Sequence, residues 1–390
     1  MIPLCRPSIG QAEIDAASRA LASGWLAHGP EVASFEREFA DFVGVRHAVA
    51  LNSCASALHL ALAASGAEGE VIIPSFTFVA TANAVLAAGC VPVFAEVEEA
   101  SGNLDPALLE GCITPRTVAI IPVHFAGQCC RMDEIMTIAQ RHRLLLIEDA
   151  AEAVGATCKG RMVGSFGVGC FSFFATKNMT TGEGGMLTTD DSDLAARARA
   201  LRGHGIAKDN AARERWPAAW QRVASTPGYN FRMTDFQAAI GRVQLARLET
   251  MNAARREHAA TLKVGLASMG HRLPIEASGC RHVFQMYTIR VDPDRYDRNC
   301  FVATLGGLGI GASVHFDPPL HQQPCFAARA RAPVPLPVTE ILARTTVTLP
   351  MFPDLKPTEI KTIIQGTRIA TERAARATGR RRGDPQRLAG

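Results

Sequence analysis

From His47 onward the chain alternates short apolar runs with helix-like stretches, and few architectures accept that rhythm. The apolar runs fall at 48–51, 71–73, 91–94, 118–123 and 144–147, and helical patterns at 55–64, 77–88 and 132–141 lie between them. Strand, helix and strand in repetition require a crossover at each step. That predicts an α/β fold: a mainly parallel sheet with both faces covered by helices. Two more apolar runs, 168–173 and 185–188, bring the sheet to the seven-stranded type.

Two helices are expected ahead of the sheet. Ser8 and Gln11 have capping-box spacing, and Ile14, Ala17 and Leu21 recur on one face up to Gly24. Pro30 opens the second, with Val32, Phe35, Phe39 and Phe42 inward. Beyond the sheet, 203–230 reads as a long polar loop and 234–268 as a helix. A strand at 285–291, a helix at 300–308, a strand at 312–315 and a last helix from Thr358 follow. The expected division is a large domain at 1–248, a smaller C-terminal α+β domain at 249–375 and a basic, disordered tail at 376–390.

The net charge of +4 would suggest nucleic acid if it were spread over the chain. The last twenty residues hold six Arg against Glu372 and Asp384, so the tail accounts for it and the rest is neutral. No nucleic-acid role is expected. No apolar run reaches membrane length, and the start Met1-Ile2-Pro3-Leu4-Cys5-Arg6-Pro7 lacks the layout of a signal peptide, so a cytoplasmic protein without a membrane partner is expected. Eleven Cys occur without a Cys-x-x-Cys pair, and Cys129-Cys130 lacks metal-finger spacing. Reduced core thiols such as Cys90 and Cys170 are expected, with no metal site.

Three stretches carry chemistry. In Phe171-Ser172-Phe173-Phe174-Ala175-Thr176-Lys177-Asn178-Met179-Thr180-Thr181-Gly182-Glu183-Gly184-Gly185, a lysine emerges from a strongly apolar run. Alone, such a lysine is most often an exposed turn residue. Partly desolvated, it is a nucleophile toward an aldehyde. The strand Leu144-Leu145-Leu146-Ile147 runs into Glu148-Asp149-Ala150-Ala151-Glu152, which puts carboxylates at the edge where parallel sheets bind ligands. Asp149 there is either a helix cap or the partner of a protonated ring nitrogen. Asn52-Ser53-Cys54-Ala55-Ser56-Ala57-Leu58-His59-Leu60 leads from strand to helix, and the free N–H groups of a helix start bind phosphate.

Glu148-Asp149-Ala150-Ala151, the 171–185 stretch and Gly228-Tyr229-Asn230-Phe231-Arg232-Met233-Thr234-Asp235 together resemble the DegT/DnrJ/EryC1/StrS sugar aminotransferases. The resemblance runs from Ile2-Pro3 and Ser23-Gly24-Trp25-Leu26 to Leu349-Pro350-Met351-Phe352-Pro353, leaving only the tail outside. It implies the type I fold of pyridoxal 5'-phosphate enzymes. It also implies transfer of an amino group from an amino acid, glutamate first, to a nucleotide-linked keto-sugar, with pyridoxamine phosphate as the intermediate form. By the same resemblance Lys177 forms the Schiff base and Asp149 bonds the pyridine nitrogen. Phe78 stacks on the ring, Glu152 lies beside it, and Ser172, Ala55 and Ser56 cradle the phosphate. Asn230 reaches the phosphate from a partner subunit, which implies a homodimer with shared sites. His124, His315 and His321 match positions near the cofactor or substrate; for His124, a lone His after a strand, a satisfied core residue is the other reading, and Arg232 is read as an interface residue.

Two departures stand out. The phosphate loop commonly reads Ser-Gly-Thr and here is Ser53-Cys54-Ala55; Glu152 replaces a Gln. Phe316 also lacks the hydroxyl of the Tyr that often follows the first His of the substrate-side loop. Some members are dehydratases with His for the lysine; Lys177 points to transamination instead. A cyclic ketone without a nucleotide, such as a cyclitol, is the alternative substrate, and a non-catalytic protein retaining the fold is the alternative class. Gly164-Ser165-Phe166-Gly167-Val168-Gly169 has no dinucleotide spacing and reads as a turn, which speaks against an oxidoreductase.

Overall fold

The computed structural model describes residues 1–206 and 223–382. Its centre is a seven-stranded sheet built of β1 (His47–Leu51), β2 (Glu70–Pro74), β3 (Val91–Ala95), β4 (Thr117–Ile120), β5 (Leu145–Asp149), β8 (Val168–Ser172) and β9 (Gly185–Thr189). The short strands β6 (Thr157–Cys158) and β7 (Arg161–Met162) form a hairpin between β5 and β8. The spatial order is β1-β9-β8-β5-β4-β2-β3, and all neighbours are parallel except β9, which runs antiparallel to both β1 and β8. All seven strands fall on the apolar runs of the sequence. Residues 48–51, 71–73, 119–120 and 168–171 are buried because helices cover both faces.

Helix α1 (Gln11–Ala22) starts after Gly10, whose N–H is capped by the Glu13 carboxylate, rather than after Ser8. Its inward face also differs from expectation. Ala16 and Ala20 pack on Ala239 of the long helix Asp235–Leu266, while Ile14 and Leu21 are each 52% exposed. The small residues allow close helix approach, and Glu13 is held there by Gln244 and Arg247, so the larger apolar side chains stay uncovered by this chain. Helix α2 (Pro30–Val43) buries Val32, Phe35 and Phe39 as expected. Its first turn is capped by the Asp235 carboxylate, which accepts the N–H groups of Gly29, Glu31 and Val32.

The boundary expected between 248 and 249 lies inside the helix Asp235–Leu266, which packs on α1 and α2 at one end and on the last helix, Pro357–Arg382, at the other. β10 (Cys280–Arg281) joins the β6–β7 hairpin, and β11 (Tyr287–Arg290) pairs with β12 (Thr346–Leu349). β12 replaces the strand expected at 312–315, where only Ser313 bridges to Thr348. The cores interlock. Ile2 packs with Leu305, Ile310 and Val347, while Leu320, Phe326 and Leu336 pack with Leu58, Ile73 and Phe94 beside the large sheet. The last helix carries its backbone through 376–382, so that part of the expected disordered tail is helical; 383–390 and part of the 203–230 loop lie outside the described residues.

His282, 2% exposed, accepts the Phe284 N–H at Nδ1. Burial pushes its imidazole down to about 3. A folded-state value below the unfolded one means that stability is full near neutral pH and falls as the pH drops below about 6.5, where the unfolded chain takes up the proton first. The expected loss at pH 5 is about 2 kcal/mol from this group. It would be measured as the urea midpoint at pH 7 and pH 5 in the wild type and in His282→Asn, which should lose less.

Candidate active site

Four chain segments leave the carboxyl ends of sheet strands beside one another, the place where open α/β sheets bind ligands. β1 passes through Asn52-Ser53 into α3 (Cys54–Ser65), and β2 passes through Ser75–Phe78 into α4 (Val79–Ala87). β5 ends on Asp149, and β8 ends on Ser172 with Lys177 five residues on. They surround a cavity of about 680 Å³ whose lining includes Ser53, Ala55, Phe78, Asp149, Glu152, Ser172, Lys177 and His315. That is the size range of sites for cofactors and small ligands.

Asp149 is 5% exposed. Its carboxylate accepts the Thr81 hydroxyl at 2.8 Å and the Ala151 N–H at 3.2 Å. Burial pushes its carboxyl above the usual carboxylate range, against the lowering effect of those hydrogen bonds and of the Lys177 charge. Desolvation outweighs the hydrogen bonds, so the ionised form still lacks a full counter-charge. Lys177, held by the turn in which its N–H donates to Phe174 O, puts Nζ 3.8 Å from the Glu152 carboxylate. The other Glu152 oxygen accepts the Ala126 N–H at 2.7 Å. Glu152 is thereby fixed from behind and faces Lys177 across the cavity wall.

At the far end, Ser53 is the N-cap of α3 and its hydroxyl accepts the Ser56 N–H. The Ser56 hydroxyl turns to Asn52 Oδ1 and Ser53 Oγ, so it braces the turn from beneath and is 8% exposed. The opening N–H groups of α3 are those that a helix leaves without internal acceptors, and with the helix dipole they favour an anion. β9 passes so near that a Cβ on Gly185 would lie 2.3 Å from the Ser53 carbonyl carbon and 2.6 Å from Cys54 N. Gly185→Ala is therefore expected to push the turn away, at a cost of about 1–3 kcal/mol of stability. Urea unfolding of the variant checks this; an unchanged midpoint refutes it.

The remaining expected residues separate. Phe78 is 61% exposed over the cavity. His315 lines it and bonds Thr348 through Nδ1 at 2.7 Å; burial lowers its imidazole below the usual range. His321 bonds Ser75 and Glu340 away from the lining, and exposed Asn230 pairs through its backbone with Gly203. His124 does not reach the cavity. It is fully buried, with Nε2 3.1 Å from Glu148 and Nδ1 accepting the Cys130 N–H. Glu148 also accepts three backbone N–H groups, from Gly164, Phe166 and Gly167, so this pair pins the glycine turn ahead of β8.

Thr81 and Thr348 are site residues that the sequence did not announce. Thr81 had the one readable cue, a hydroxyl in the first turn of the helix that follows Phe78. Among the described residues no group of three or more metal-liganding side chains occurs, and no helix is long and apolar enough to cross a membrane.

Comparison with known proteins bears on what such a cavity does. The model of the DegT/DnrJ/EryC1/StrS aminotransferase family matches residues 7–368. The spore coat polysaccharide biosynthesis protein SpsC of Bacillus subtilis is 42% identical over 375 residues, 94% of this chain and 96% of its own length. The solved structure of DesI in the presence of its TDP-sugar product is 33% identical with a TM-score of 0.87, covering 98% of this chain and 95% of DesI. Spr1654 of Streptococcus pneumoniae in its PMP form is 28% identical with a TM-score of 0.89, covering 96% of this chain and all (100%) of that one.

Proposed function

The chain belongs to the DegT/DnrJ/EryC1/StrS aminotransferase family, and from that premise we propose that it uses pyridoxal 5'-phosphate to move an amino group from glutamate to the keto group of a nucleotide-linked sugar. One observation carries the cofactor assignment. A single cavity is lined by an amine, Lys177, by a buried acid short of counter-charge, Asp149, and by the opening turn of a helix. An aldehyde, a protonated pyridine nitrogen and a phosphate are the three groups that such a lining fits, and the cofactor carries all three. The PMP form of Spr1654 and the TDP-sugar product of DesI support the cofactor and the substrate class.

When bound, that group supplies a carbon that accepts the amine and a ring that takes up the electrons of the donor's α-carbon. The protein's side chains do the rest. The Lys177 amine holds the cofactor, then moves a proton at the donor's α-carbon as a general base and acid. The Asp149 carboxylate keeps the ring nitrogen protonated, and Thr81 fixes the carboxylate's orientation through its 2.8 Å hydrogen bond. Phe78, exposed over the cavity, would cover one face of the ring. Ser53 and Ala55, with Ser172, would hold the phosphate at the start of α3 while Ser56 braces them. Glu152 neutralises the lysine between proton transfers.

Asn230 would act on the neighbouring subunit's phosphate, in a homodimer. Exposed Ile14, Leu21 and Leu26 on this chain support such an association. His315 lies on the substrate side of the cavity. The amino donor and the keto-sugar use one site in turn, which gives ping-pong kinetics.

The test is purified protein with the cofactor and L-glutamate against a panel of nucleotide-linked keto-sugars, followed by mass spectrometry for replacement of the carbonyl oxygen by an amino group. No aminated nucleotide-sugar from any panel member, together with amination of a free cyclic ketone, would reject the sugar-nucleotide substrate.

A further inference from the structure

Three thiols that do not line the active-site cavity meet beside the β6–β7 hairpin. Cys129 follows the turn Phe125–Gly127, Cys158 lies in β6 and Cys280 in β10. β10 pairs antiparallel with β6, and Cys280 stands opposite Cys158. The Lys159 N–H donates to Gly279 O at 2.7 Å, whereas the Cys280 N–H turns back to Ala277 O. The Cys158/Cys280 pair therefore lies between the hydrogen-bonded pairs of the ladder, where opposed Cα atoms approach to about 4.5 Å. A disulfide spans Cα separations of about 4.4–6.8 Å, so the backbone already has the required spacing. The two Sγ atoms are 2.8 Å apart as free thiols.

We propose that Cys158 and Cys280 are a reversible oxidation site that closes to an intrachain disulfide when the protein meets a peroxide. Cys280 is the attacking group because it is half-buried, while Cys129 and Cys158 are buried. Hydrogen bonds from the Cys129 thiol, and then from Cys158 and the Gln128 amide, hold the Cys280 thiol down to about 6 against the opposing effect of burial. That lowering favours the thiolate, the form that attacks.

In the first step the Cys280 sulfur attacks one peroxide oxygen, the O–O bond breaks, and hydroxide leaves and is protonated to water. The Cys158 sulfur then gives up its proton and displaces the oxygen from Cys280, so the S–S bond forms and a second water leaves. Two thiols lose two electrons and two protons, and one hydrogen peroxide becomes two waters.

The bond would tie β10 to the β6–β7 hairpin, just ahead of Gln285 and Met286, which line the cavity. The same segment is laced to the turn before Cys129, with the Val283 N–H donating to Gly127 O and the Met286 N–H to Ala126 O. The site rests on this strand pairing alone and stands whatever the cavity binds.

The experiment treats reduced full-length protein with hydrogen peroxide at pH 7, blocks the remaining thiols with N-ethylmaleimide and maps peptides without reductant. The expected result is loss of two of the eleven thiols, a Cys158–Cys280 linked peptide, and recovery with dithiothreitol. In untreated protein, Cys280 should alkylate about 10-fold faster than the buried thiols. Cys280→Ser should keep its remaining thiols under the same treatment. Retention of all eleven thiols in the parent protein, a link from Cys280 to Cys129, or a link between chains through exposed Cys325 would each overturn the proposal.

Discussion

Lys177→Arg will lower turnover by on the order of 10⁴- to 10⁶-fold, the range seen when a group that makes and breaks covalent bonds is removed. Arg keeps a positive charge opposite Glu152, 3.8 Å from Nζ in the parent, so the local ion pair is retained. A guanidinium does not lose its proton in a protein and is not a nucleophile, so the chemistry is not retained. Lys177 is the one lysine among the described residues that line the cavity. Steady-state rates, circular dichroism and borohydride trapping with peptide mapping check the result together. A reduced cofactor adduct on a peptide without Lys177, or an active and folded Arg variant, would remove the basis of the proposed mechanism.

Asp149→Asn is expected to separate activity from stability. The amide keeps an oxygen for the Thr81 hydroxyl but not the charge that a ring nitrogen needs. Breaking a buried charge pair by removing one member costs roughly 3–5 kcal/mol, which corresponds to about 10²- to 10⁴-fold in the rate of the glutamate half-reaction. Stopped-flow absorbance with glutamate alone would read it. The effect on the cofactor-free protein has the opposite sign. Burial raises the Asp149 carboxyl, so the unfolded chain releases this proton first and ionisation opposes folding at pH values above the unfolded one. The Asn variant should therefore unfold at equal or higher urea than the parent when the cofactor is absent. A less stable and fully active variant would contradict both halves.

The sheet was legible because a strand covered on both faces must be apolar throughout, and 71–73 or 144–147 can hardly be anything else. Strand direction was not, since an apolar run carries no arrow: β9 looks like its parallel neighbours and is the one that runs the other way. β12 was missed because Thr346-Val347-Thr348-Leu349 is short and half polar, while 312–315 matched the pattern and found only a single bridge. In α1, periodicity identified a helix but chose the wrong face, because Ala16 and Ala20 carry a weaker apolar signal than Ile14 and Leu21.

The same limits apply to the cavity. Lys177 and Asp149 were legible because each follows an apolar strand at the ligand-binding edge. His124 was not, because a histidine after a strand looks the same whether its ring faces a ligand or, as here, a buried glutamate. Thr348 contributes a hydroxyl that only tertiary placement reveals.

The interlocked cores set a limit on how such a chain can be rearranged. Ile2, at one extremity, completes the packing around Val347, while Phe326 and Leu336 from the last quarter seal the layer beside β2 and β3. Cutting at 248 would leave each half with an open wound of missing apolar side chains. Neither half is a cassette: a chimera exchanging everything after 248 with a relative must also exchange the first few residues, or it will join two surfaces that never evolved against each other.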